Sequence, residues 1–439
     1  MVQISLSLLF SILALIGVGR YFKLHPFFSL LLAALVFGTL QGNPILKTFS
    51  EMQSGFGLML QQIGFLVAIG SCLGIVMEKT GAMATLGNSI VKSFGPKRTV
   101  LAMSLIGVVV GIPVFCDSGF IILSRLVPSI ASASGTSAQL SLALSSGLYA
   151  THTLVPPTPG PLAAAANLGI SSHLGLVILI GLLSAIPVAT VAYFLAKKLG
   201  VNIPVTLADI QSMDQKNHTL LLCLLPLLLP ILLIACGSLP TFFNSLQSQA
   251  TLFQIIGNPV LALLIGLLFA FFLIKGKQKQ EWPGWIAEAL KDAGLILLIT
   301  GAGGAFGSVI KSSGVDLILK EYLSDSQSAG VAFLLVGFSL AAVLKTAQGS
   351  STSAIIITSS LLAPLAPSAG FDSPVALATL MVAIGGGAMT VSHANDSYFW
   401  VVSQFSGIHE RIAYRSYTVI TLAQGLTALL TSILLLSLL

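Results

Sequence analysis

The sequence predicts an all-α polytopic membrane protein made of two inverted repeats, each with five transmembrane helices, one of them broken, and one re-entrant hairpin. Three observations lead to this prediction. Of the 439 residues, 55% are hydrophobic and only 8% are charged, whereas soluble domains usually carry about 25% charged residues. Apolar runs near the ~20 residues that cross a bilayer recur along the chain. Similar residues also recur in the second half at a nearly constant spacing.

Positive charges indicate which loops face the cytoplasm. Fourteen of the 20 Lys and Arg residues fall into five clusters in short loops: Arg20 and Lys23; Lys79, Lys92, Lys97 and Arg98; Lys197, Lys198 and Lys216; Lys275, Lys277 and Lys279; Arg411 and Arg415. Cytoplasmic loops are enriched in Lys and Arg, so these clusters place the N-terminus outside. The net charge of +6 is therefore attributed to membrane orientation, and we expect no nucleic-acid partner.

In the first half, three spans precede a longer, interrupted segment. The spans are predicted at 4–19, 26–40 and 57–77; the first lacks the features of a cleaved signal peptide, so we expect it to be retained. Residues 99–131 are long enough for two half-helices and are broken at 112–119, which predicts a re-entrant hairpin on the cytoplasmic side. The half ends with a broken helix at 138–168 and a span at 174–195.

The second half repeats this order. It comprises three spans, a hairpin broken at 345–352, a broken helix and a last span, predicted at 220–236, 255–274, 287–310, 331–366, 374–406 and 417–438. Residues of the third span recur at an offset of 233, which pairs Gly70, Gly74, Val76 and Gly81 with Gly303, Gly307, Val309 and Gly314. Since each half crosses the membrane an odd number of times, the second half must be inverted relative to the first.

Two polar inserts interrupt apolar helices at corresponding places in the two halves. Residues 150–161 contain four prolines and His152, and residues 390–398 contain His393 and Asp396. Unwound backbone at membrane depth is tolerated only where protein or a water-filled cavity satisfies it. Paired interruptions in two repeats therefore predict the substrate site of a transporter. The prolines are expected to hold the first break open, because they remove backbone donors.

The two hairpin tips complete a four-part site with these inserts. Half-helix N-termini suit an anionic group, and the small polar residues offer donors and acceptors, so we expect a small hydroxylated carboxylate as substrate. Helix packing by small residues is the alternative explanation for these runs. The candidate substrate-binding residues are Asp117, Ser118, Gly119, His152, Thr153, Thr158, Gln348, Gly349, Ser350, Ser351, Thr352, His393 and Asn395.

Ionisable residues inside the membrane cost free energy, so their presence indicates a functional role. The candidates for a coupling proton are Asp117, Asp396, His152 and His393. Structural roles are the alternatives: Asp117 could pair with Arg125 or cap its own helix, and the histidines could be packing residues. Lys345 could pair with Asp396 or with the substrate, or extend to the membrane interface. Sodium coupling stays open, because hydroxyls and carbonyls at such breaks also bind Na⁺.

No cofactor or metal site is expected. The four cysteines, Cys72, Cys116, Cys223 and Cys236, lack ligand-like spacing and are expected to be free thiols. The sequence has no phosphate-binding loop and no zinc-protease or serine-hydrolase motif, which weakens ATP-driven transport and an intramembrane hydrolase as hypotheses. A channel is a further alternative, although a channel would not need two oppositely oriented hairpins around one site.

Three segments of the chain resemble the gluconate permease (GntP) family of the ion transporter superfamily. They are 117–125, the proline-rich 150–161 and the Ser-His-Ala-Asn-Asp-Ser run at 392–397. The resemblance covers nearly the whole chain. It implies import of gluconate or a related hydroxy acid by proton symport across a bacterial inner membrane. The family also includes members for other sugar acids, glycerate and D-serine, so the substrate stays open.

The resemblance further implies a homodimer that works by an elevator motion, in which a mobile transport domain slides against a scaffold domain. We expect the scaffold to comprise 1–77 and 219–310. The transport domain would comprise 78–200 and 311–439, and a cytoplasmic linker would join the two halves at 201–218.

Overall fold

Helices joined by turns make up the described part of the chain, and no β-strand occurs there. Six of these helices are long and apolar enough to cross a bilayer, which agrees with the predicted all-α membrane protein. The first predicted span and the linker lie largely outside the described residues. The computed structural model describes residues 6–7, 10–11, 13–14, 17, 24–134, 136–201, 203, 219–237, 249–313, 329–393 and 396–439.

The first half contains one helix that the sequence did not predict. This helix, α3, stands where a loop was expected, between Gly81 and Gly95, which both adopt positive φ (80° and 69°) and so bound it at each end. The second helix also begins earlier than the predicted span at 57. The helices are α1 (Pro26–Leu40), α2 (Ile45–Lys79), α3 (Ala82–Phe94), α4 (Thr99–Val110), α5 (Cys116–Leu123), α6 (Val127–Ser134), α7 (Ser137–Leu154), α8 (Pro159–Asn167) and α9 (Leu174–Leu199).

In the second half, the predicted span at 255–274 is wrong as one helix. It is divided at Gly257 and Asn258, because the Asn258 side chain accepts from the N–H groups of Val260 and Leu261 and thereby starts a new helix. The helices are α10 (Leu220–Gly237), α11 (Ala250–Ile256), α12 (Pro259–Phe271), α13 (Gln278–Ser312), α14 (Ala329–Gln348), α15 (Ser351–Leu362), α16 (Pro374–Met389), α17 (Ser397–Ser406), α18 (Glu410–Arg415) and α19 (Tyr417–Ser437).

Helices α2 and α13 form the most extensive helix pair among the described elements. Each is 35 residues long, and α13 begins and ends 233 residues after α2, the offset seen in the sequence. Gly55 packs on Gly304, whereas Lys79 near the end of α2 places Nζ 3.1 Å from Oε2 of Glu288 near the start of α13. The two helices are therefore antiparallel, and their glycines allow the backbones to approach closely.

Both predicted hairpins consist of two helical arms joined by a break. In the first, residues 111–115 separate α4 from α5, so the break predicted at 112–119 extended too far. Helix α6 returns to contact the turn at Pro96–Arg98 that precedes α4. In the second, only Gly349 and Ser350 separate α14 from α15. The second break is therefore shorter than predicted, and Lys345 belongs to the last turn of α14.

The broken helices are also present, with one shift in position. Residues 155–158 separate α7 from α8, so the predicted break that began at Ala150 was placed too early. A proline disfavours helix only from the residue before it, so α7 continues to Leu154 and includes His152. The second break spans 390–396, between α16 and α17, where it was predicted.

Candidate functional site

A buried ion pair lies where the second hairpin meets the second helix break. Lys345 places Nζ 2.5 Å from Oδ2 of Asp396, and the two side chains are 0% and 4% exposed. The Ser392 hydroxyl donates to the same Oδ2, and the Tyr398 backbone N–H donates to Oδ1 at 3.1 Å. Asp396 thus has three partners: it neutralises Lys345 and also caps α17. Of the roles expected for Lys345, the structure thus shows the pairing with Asp396.

Tyr149 of α7 connects this ion pair to the first half. Lys345 Nζ lies 5.7 Å from the centre of the Tyr149 ring, a distance at which cation and ring attract each other. The Tyr149 hydroxyl donates to the Ala388 carbonyl oxygen at 3.4 Å, and Ser351 lies within hydrogen-bonding reach of the same side chain. Tyr149 therefore contacts the second hairpin and the second broken helix together.

Tyr398 forms the centre of an aromatic cluster beside Asp396. Its ring centre lies 5.3 Å from that of Tyr149, 5.9 Å from that of Tyr417 and 6.3 Å from that of Phe120. Its hydroxyl donates to the Ser145 carbonyl oxygen at 2.9 Å. The sequence prediction omitted these tyrosines. In the sequence, Tyr149 directly precedes the first polar insert and Tyr398 is the last residue of the second, and this position is the signal that could have indicated them.

Asp117 lies in the first turn of α5, directly after the first hairpin break, and is only partly buried. Its Oδ2 accepts from the Cys116 thiol at 3.7 Å, and a thiol is a weak donor. Among the described side chains, no cation lies within 4 Å of it. Its charge nevertheless interacts with those of Asp396 and Lys345, so the first hairpin tip faces the ion pair.

His152 is buried in the last turn of α7, with 4% of its surface exposed. Its ring centre lies 6.0 Å from that of Phe115 in the first hairpin break, and it interacts electrostatically with Lys345 and Asp396. Its Nδ1 has no hydrogen-bond partner among the described residues. Buried polar atoms are normally paired, so this nitrogen is available to a ligand or a water molecule.

Four other predicted residues make contacts within the protein. The Thr153 hydroxyl donates to the Tyr149 carbonyl oxygen at 3.0 Å, and the Thr158 hydroxyl donates to that of Val155 at 2.6 Å. Gly119 packs against α7, where a Cβ atom would lie 3.0 Å from the side chain of Leu148. Ser118 lies within hydrogen-bonding reach of Glu78 and therefore faces α2.

The tip of the second hairpin is built from the predicted small residues. Gly349 adopts a φ of 77°, which a residue without Cβ tolerates, and the Ser350 hydroxyl accepts from the Ser353 N–H at 3.2 Å to cap α15. Thr352 lies in the first turn of α15, against Gly160 of α8. Gln348 keeps a buried Oε1 without a partner in the described part of the chain.

His393 is placed differently from His152. It is half-buried, and its Nδ1 lies 2.9 Å from the carbonyl oxygen of Val391 in its own loop. The matching positions of the two histidines in the sequence thus do not give them matching surroundings. Asn395 and the side chain of Arg125 lie outside the described residues.

Glycines of α2 allow this cluster to approach the α2–α13 pair. A Cβ atom at Gly74 would lie 3.2 Å from the Pro113 carbonyl oxygen, and one at Gly70 would lie 3.8 Å from that of Pro157. The equivalent glycines of α13 contact α15 in the same way. The glycines that recur at an offset of 233 therefore form a smooth surface toward the hairpins and the broken helices.

A cavity of about 440 Å³ lies between the α2–α13 pair and the ends of α8 and α15. Hydroxyl and amide groups face it together with one cation, Lys311. Within the described ranges, no group of three His, Cys, Asp or Glu residues could hold a metal ion. The polar residues of the cavity lining are Ser54, Asn167, Ser308, Lys311 and Ser360.

Comparisons with known proteins identify relatives along the whole chain. Residues 3–439 match the family model described as GntP family permease. The chain is 31% identical to the inner membrane permease YgbN of Escherichia coli K12, with 93% of each chain covered. It is 31% identical to a gluconate permease of Pseudomonas aeruginosa, with 94% of this chain and 93% of the relative covered. It is 32% identical to the D-serine transporter DsdX of Escherichia coli CFT073, with 96% of each covered.

A solved structure supports the fold. The YdaH transporter of Alcanivorax borkumensis aligns with a TM-score of 0.66 over 94% of this chain and 98% of its own, at 17% identity. At that identity the likeness concerns the fold alone. The relatives are named as permeases and transporters, so this chain is a multi-pass inner-membrane protein and not an enzyme. The resemblance seen in the motifs is confirmed: the chain belongs to the GntP family of permeases.

Proposed function

We propose that this secondary transporter of small acids imports gluconate or a related hydroxy acid together with a proton. The chain's relatives include a gluconate permease and a D-serine transporter, which supports a small, polar carboxylate as substrate. One observation carries the proposal of proton coupling. Lys345 and Ser392 already engage Asp396, whereas among the described side chains Asp117, at the opposite tip, accepts a hydrogen bond only from the weak thiol donor of Cys116.

The charges of the site explain why a proton and an anion would bind together. Lys345 offsets Asp396, so the ion pair adds no net charge, and an ionised Asp117 is then the uncompensated charge. A substrate carboxylate that entered beside an ionised Asp117 would meet like-charge repulsion in a poorly solvated place. Protonation of Asp117 removes that repulsion. Binding of the anion alone is therefore disfavoured, and substrate and proton move together.

The neutral polar atoms of the site suit the hydroxyl groups of such a substrate. The His152 Nδ1 and the Gln348 Oε1 are buried without partners in the described part of the chain. Each could exchange a hydrogen bond with a sugar-acid hydroxyl, since a site built to hydrogen-bond a hydroxyl rejects analogues that lack it. We assign the carboxylate to the N-terminus of α15 and its Ser351 and Thr352, where free N–H groups favour an anion.

We further infer that the two halves are inverted repeats whose hairpins re-enter the membrane. The antiparallel pairing of α2 with α13, at an offset of 233 residues, supports inversion. Contact of α6 with the turn before α4 supports a hairpin that returns to the side from which it starts. An inverted arrangement lets a single site open to either side of the membrane in turn.

For the motion, we propose an elevator in which the hairpins and broken helices slide along the α2–α13 pair. The scaffold would comprise 1–77 and 219–310, and the transport domain 78–200 and 311–439, within a homodimer. The smooth glycine surface formed by Gly70, Gly74 and their equivalents supports sliding, because it lacks side chains that would interlock. The cavity beside Lys311 would admit the anion from the exoplasmic side.

Uptake by the purified protein in liposomes tests this function. Radiolabelled gluconate, glycerate and D-serine would be supplied separately under an inward proton gradient, an inward sodium gradient or no gradient. We expect uphill uptake of gluconate or another hydroxy acid with the proton gradient alone, and its loss when a protonophore is added. Uphill uptake driven only by sodium would refute proton coupling, and accumulation of D-serine alone would refute the substrate class.

A further inference from the structure

A second cavity, of about 580 Å³, lies between α4 of the first hairpin and α9. None of its lining residues belongs to the candidate substrate site. Several of them, including Ile186, Thr190 and Phe194, are exposed on the outer face of α9, so the cavity opens toward the lipid. The lining is almost entirely apolar and consists of Leu101, Ser104, Leu105, Val108, Leu182, Ala185, Ile186, Ala189, Thr190, Tyr193 and Phe194.

This groove suits a hydrocarbon chain better than a polar solute. The Thr190 hydroxyl donates to the Ile186 carbonyl oxygen at 2.7 Å, so even this polar side chain is engaged by its own helix. The small side chains of Ala185 and Ala189 form the floor, and both are buried. Larger apolar side chains surround them. A cavity of this size and composition is typical of sites that bind apolar ligands.

Hydrogen bonds show which chain segments lie at one end of the groove. The Gln139 Nε2 donates to the Lys197 carbonyl oxygen at 2.6 Å, so the start of α7 is level with the end of α9. Helix α4 runs parallel to α7, because Gly107 packs on Gly147 and the Thr151 hydroxyl donates to the Val108 carbonyl oxygen. The start of α4 therefore lies at the same level as the end of α9.

Four exposed cations occupy that end: Lys97 and Arg98 before α4, and Lys197 and Lys198 in the last turn of α9. No salt bridge to any of them occurs within the described residues. From Lys97 to Gly200 the sequence contains a single acidic residue, Asp117, which lies in the candidate substrate site. The four cations belong to clusters that the charge bias assigns to the cytoplasmic side.

We propose that this groove binds an anionic phospholipid of the inner leaflet, with one acyl chain between α4 and α9 and the phosphate against the four cations. Basic clusters beside membrane helices attract anionic headgroups, and the apolar groove adds a site for the tail. A second copy of the chain, related by an axis along the membrane normal, would bring two such basic clusters to the same level. Their repulsion favours a lipid over a partner subunit.

Native mass spectrometry and thermal stability in detergent test the proposal directly, without reference to transport. The protein would be titrated with phosphatidylglycerol and with phosphatidylcholine of identical acyl chains. We expect phosphatidylglycerol to be retained and to raise the Tm, while phosphatidylcholine does neither. The double variant K197Q/K198Q should lower phosphatidylglycerol retention by about an order of magnitude, because each basic residue near a headgroup adds to the attraction.

A control variant and a groove-filling variant distinguish binding at this site from nonspecific attraction of the lipid to positive charges elsewhere on the protein. K277Q/K279Q removes two exposed lysines of another basic cluster and should leave retention unchanged. T190W fills the groove and should reduce retention, whereas L183W, on the same helix but outside the lining, should not. Equal retention of both lipids, or an equal loss in the two lysine variants, would overturn the proposal. Conversion of a dimer to a monomer by T190W would instead assign the groove to a second copy.

Discussion

Each half of the chain contains a two-armed hairpin and a broken helix, but the two halves distribute the charges at these elements differently. The second half places Lys345 at its hairpin tip and Asp396 at its helix break, where they form a closed, buried pair. The first half places Asp117 at its hairpin tip and a proline-rich break, without any charge, at 155–158. Among the described side chains, only the thiol of Cys116 donates a hydrogen bond to that aspartate.

This difference supports separate tasks for the charged residues near the two hairpin breaks. A buried ion pair is costly to separate, so the charges of Lys345 and Asp396 hold the second hairpin and the second break in a fixed relation. A carboxylate with one weak partner can gain or lose a proton with little rearrangement. Under the proposed proton coupling, the second half would supply fixed structure to the candidate site, and the first half would supply its titratable acid.

Neutralising Asp396 should have the largest effect on stability and on transport. In D396N, Lys345 stays buried without an opposite charge, a change that typically costs about 3–5 kcal/mol. We expect poor yield in the membrane, a large drop in Tm and no uptake. The double variant K345M/D396N removes both charges and should regain most of the stability, but not transport. If D396N alone kept the stability of the parent protein, the fixed role of the pair would be wrong.

Replacing Asp117 should change coupling without changing the fold. In D117N the side chain resembles the protonated acid, so we expect folding and the exchange of internal for external substrate to persist. Uphill uptake under a proton gradient should be lost. Counterflow and gradient-driven uptake, measured on the same liposomes, distinguish these two activities, and the Tm provides the control for folding. Normal uphill uptake by D117N would remove Asp117 from the coupling role.

Removing a hydroxyl group at either helix break should have the smallest effect on stability. The two losses can be compared directly, because one hydroxyl bonds to a charged group and the other to a neutral one. S392A removes a hydrogen bond to the charged Asp396, and such bonds contribute about 1.5–3 kcal/mol. T158A removes a bond to a neutral carbonyl, which contributes about 0.5–1.5 kcal/mol. Denaturant unfolding in detergent should therefore show the larger loss for S392A. Equal losses of stability would mean that the charge of Asp396 does not strengthen its hydrogen bond with Ser392.

The sequence predicted both hairpins and both broken helices, because proline, glycine and short polar residues inside apolar runs are local signals. It placed boundaries of three of these breaks wrongly. The first hairpin break ends at Phe115 and not at Gly119, because α5 begins at Cys116. Helix α7 continues through His152 to Leu154, since the prolines act only from Val155 onward, and α14 continues through Lys345 until Gly349 turns the chain. Helix α3 and the division at Asn258 were missed, because tight turns at a single Gly or Asn leave little trace in hydropathy.

From the sequence alone it follows that this protein spans the membrane and that polar residues, prolines and glycines interrupt several of its apolar runs. These properties depend on local composition and spacing, which the chain displays directly. The tertiary structure was needed to show that Lys345 meets Asp396, and that no cation pairs with Asp117 among the described side chains. It was also needed to show that His152 is buried near the ion pair whereas His393 contacts its own loop. Those outcomes depend on how the halves pack together, and contacts between distant segments have no local signature.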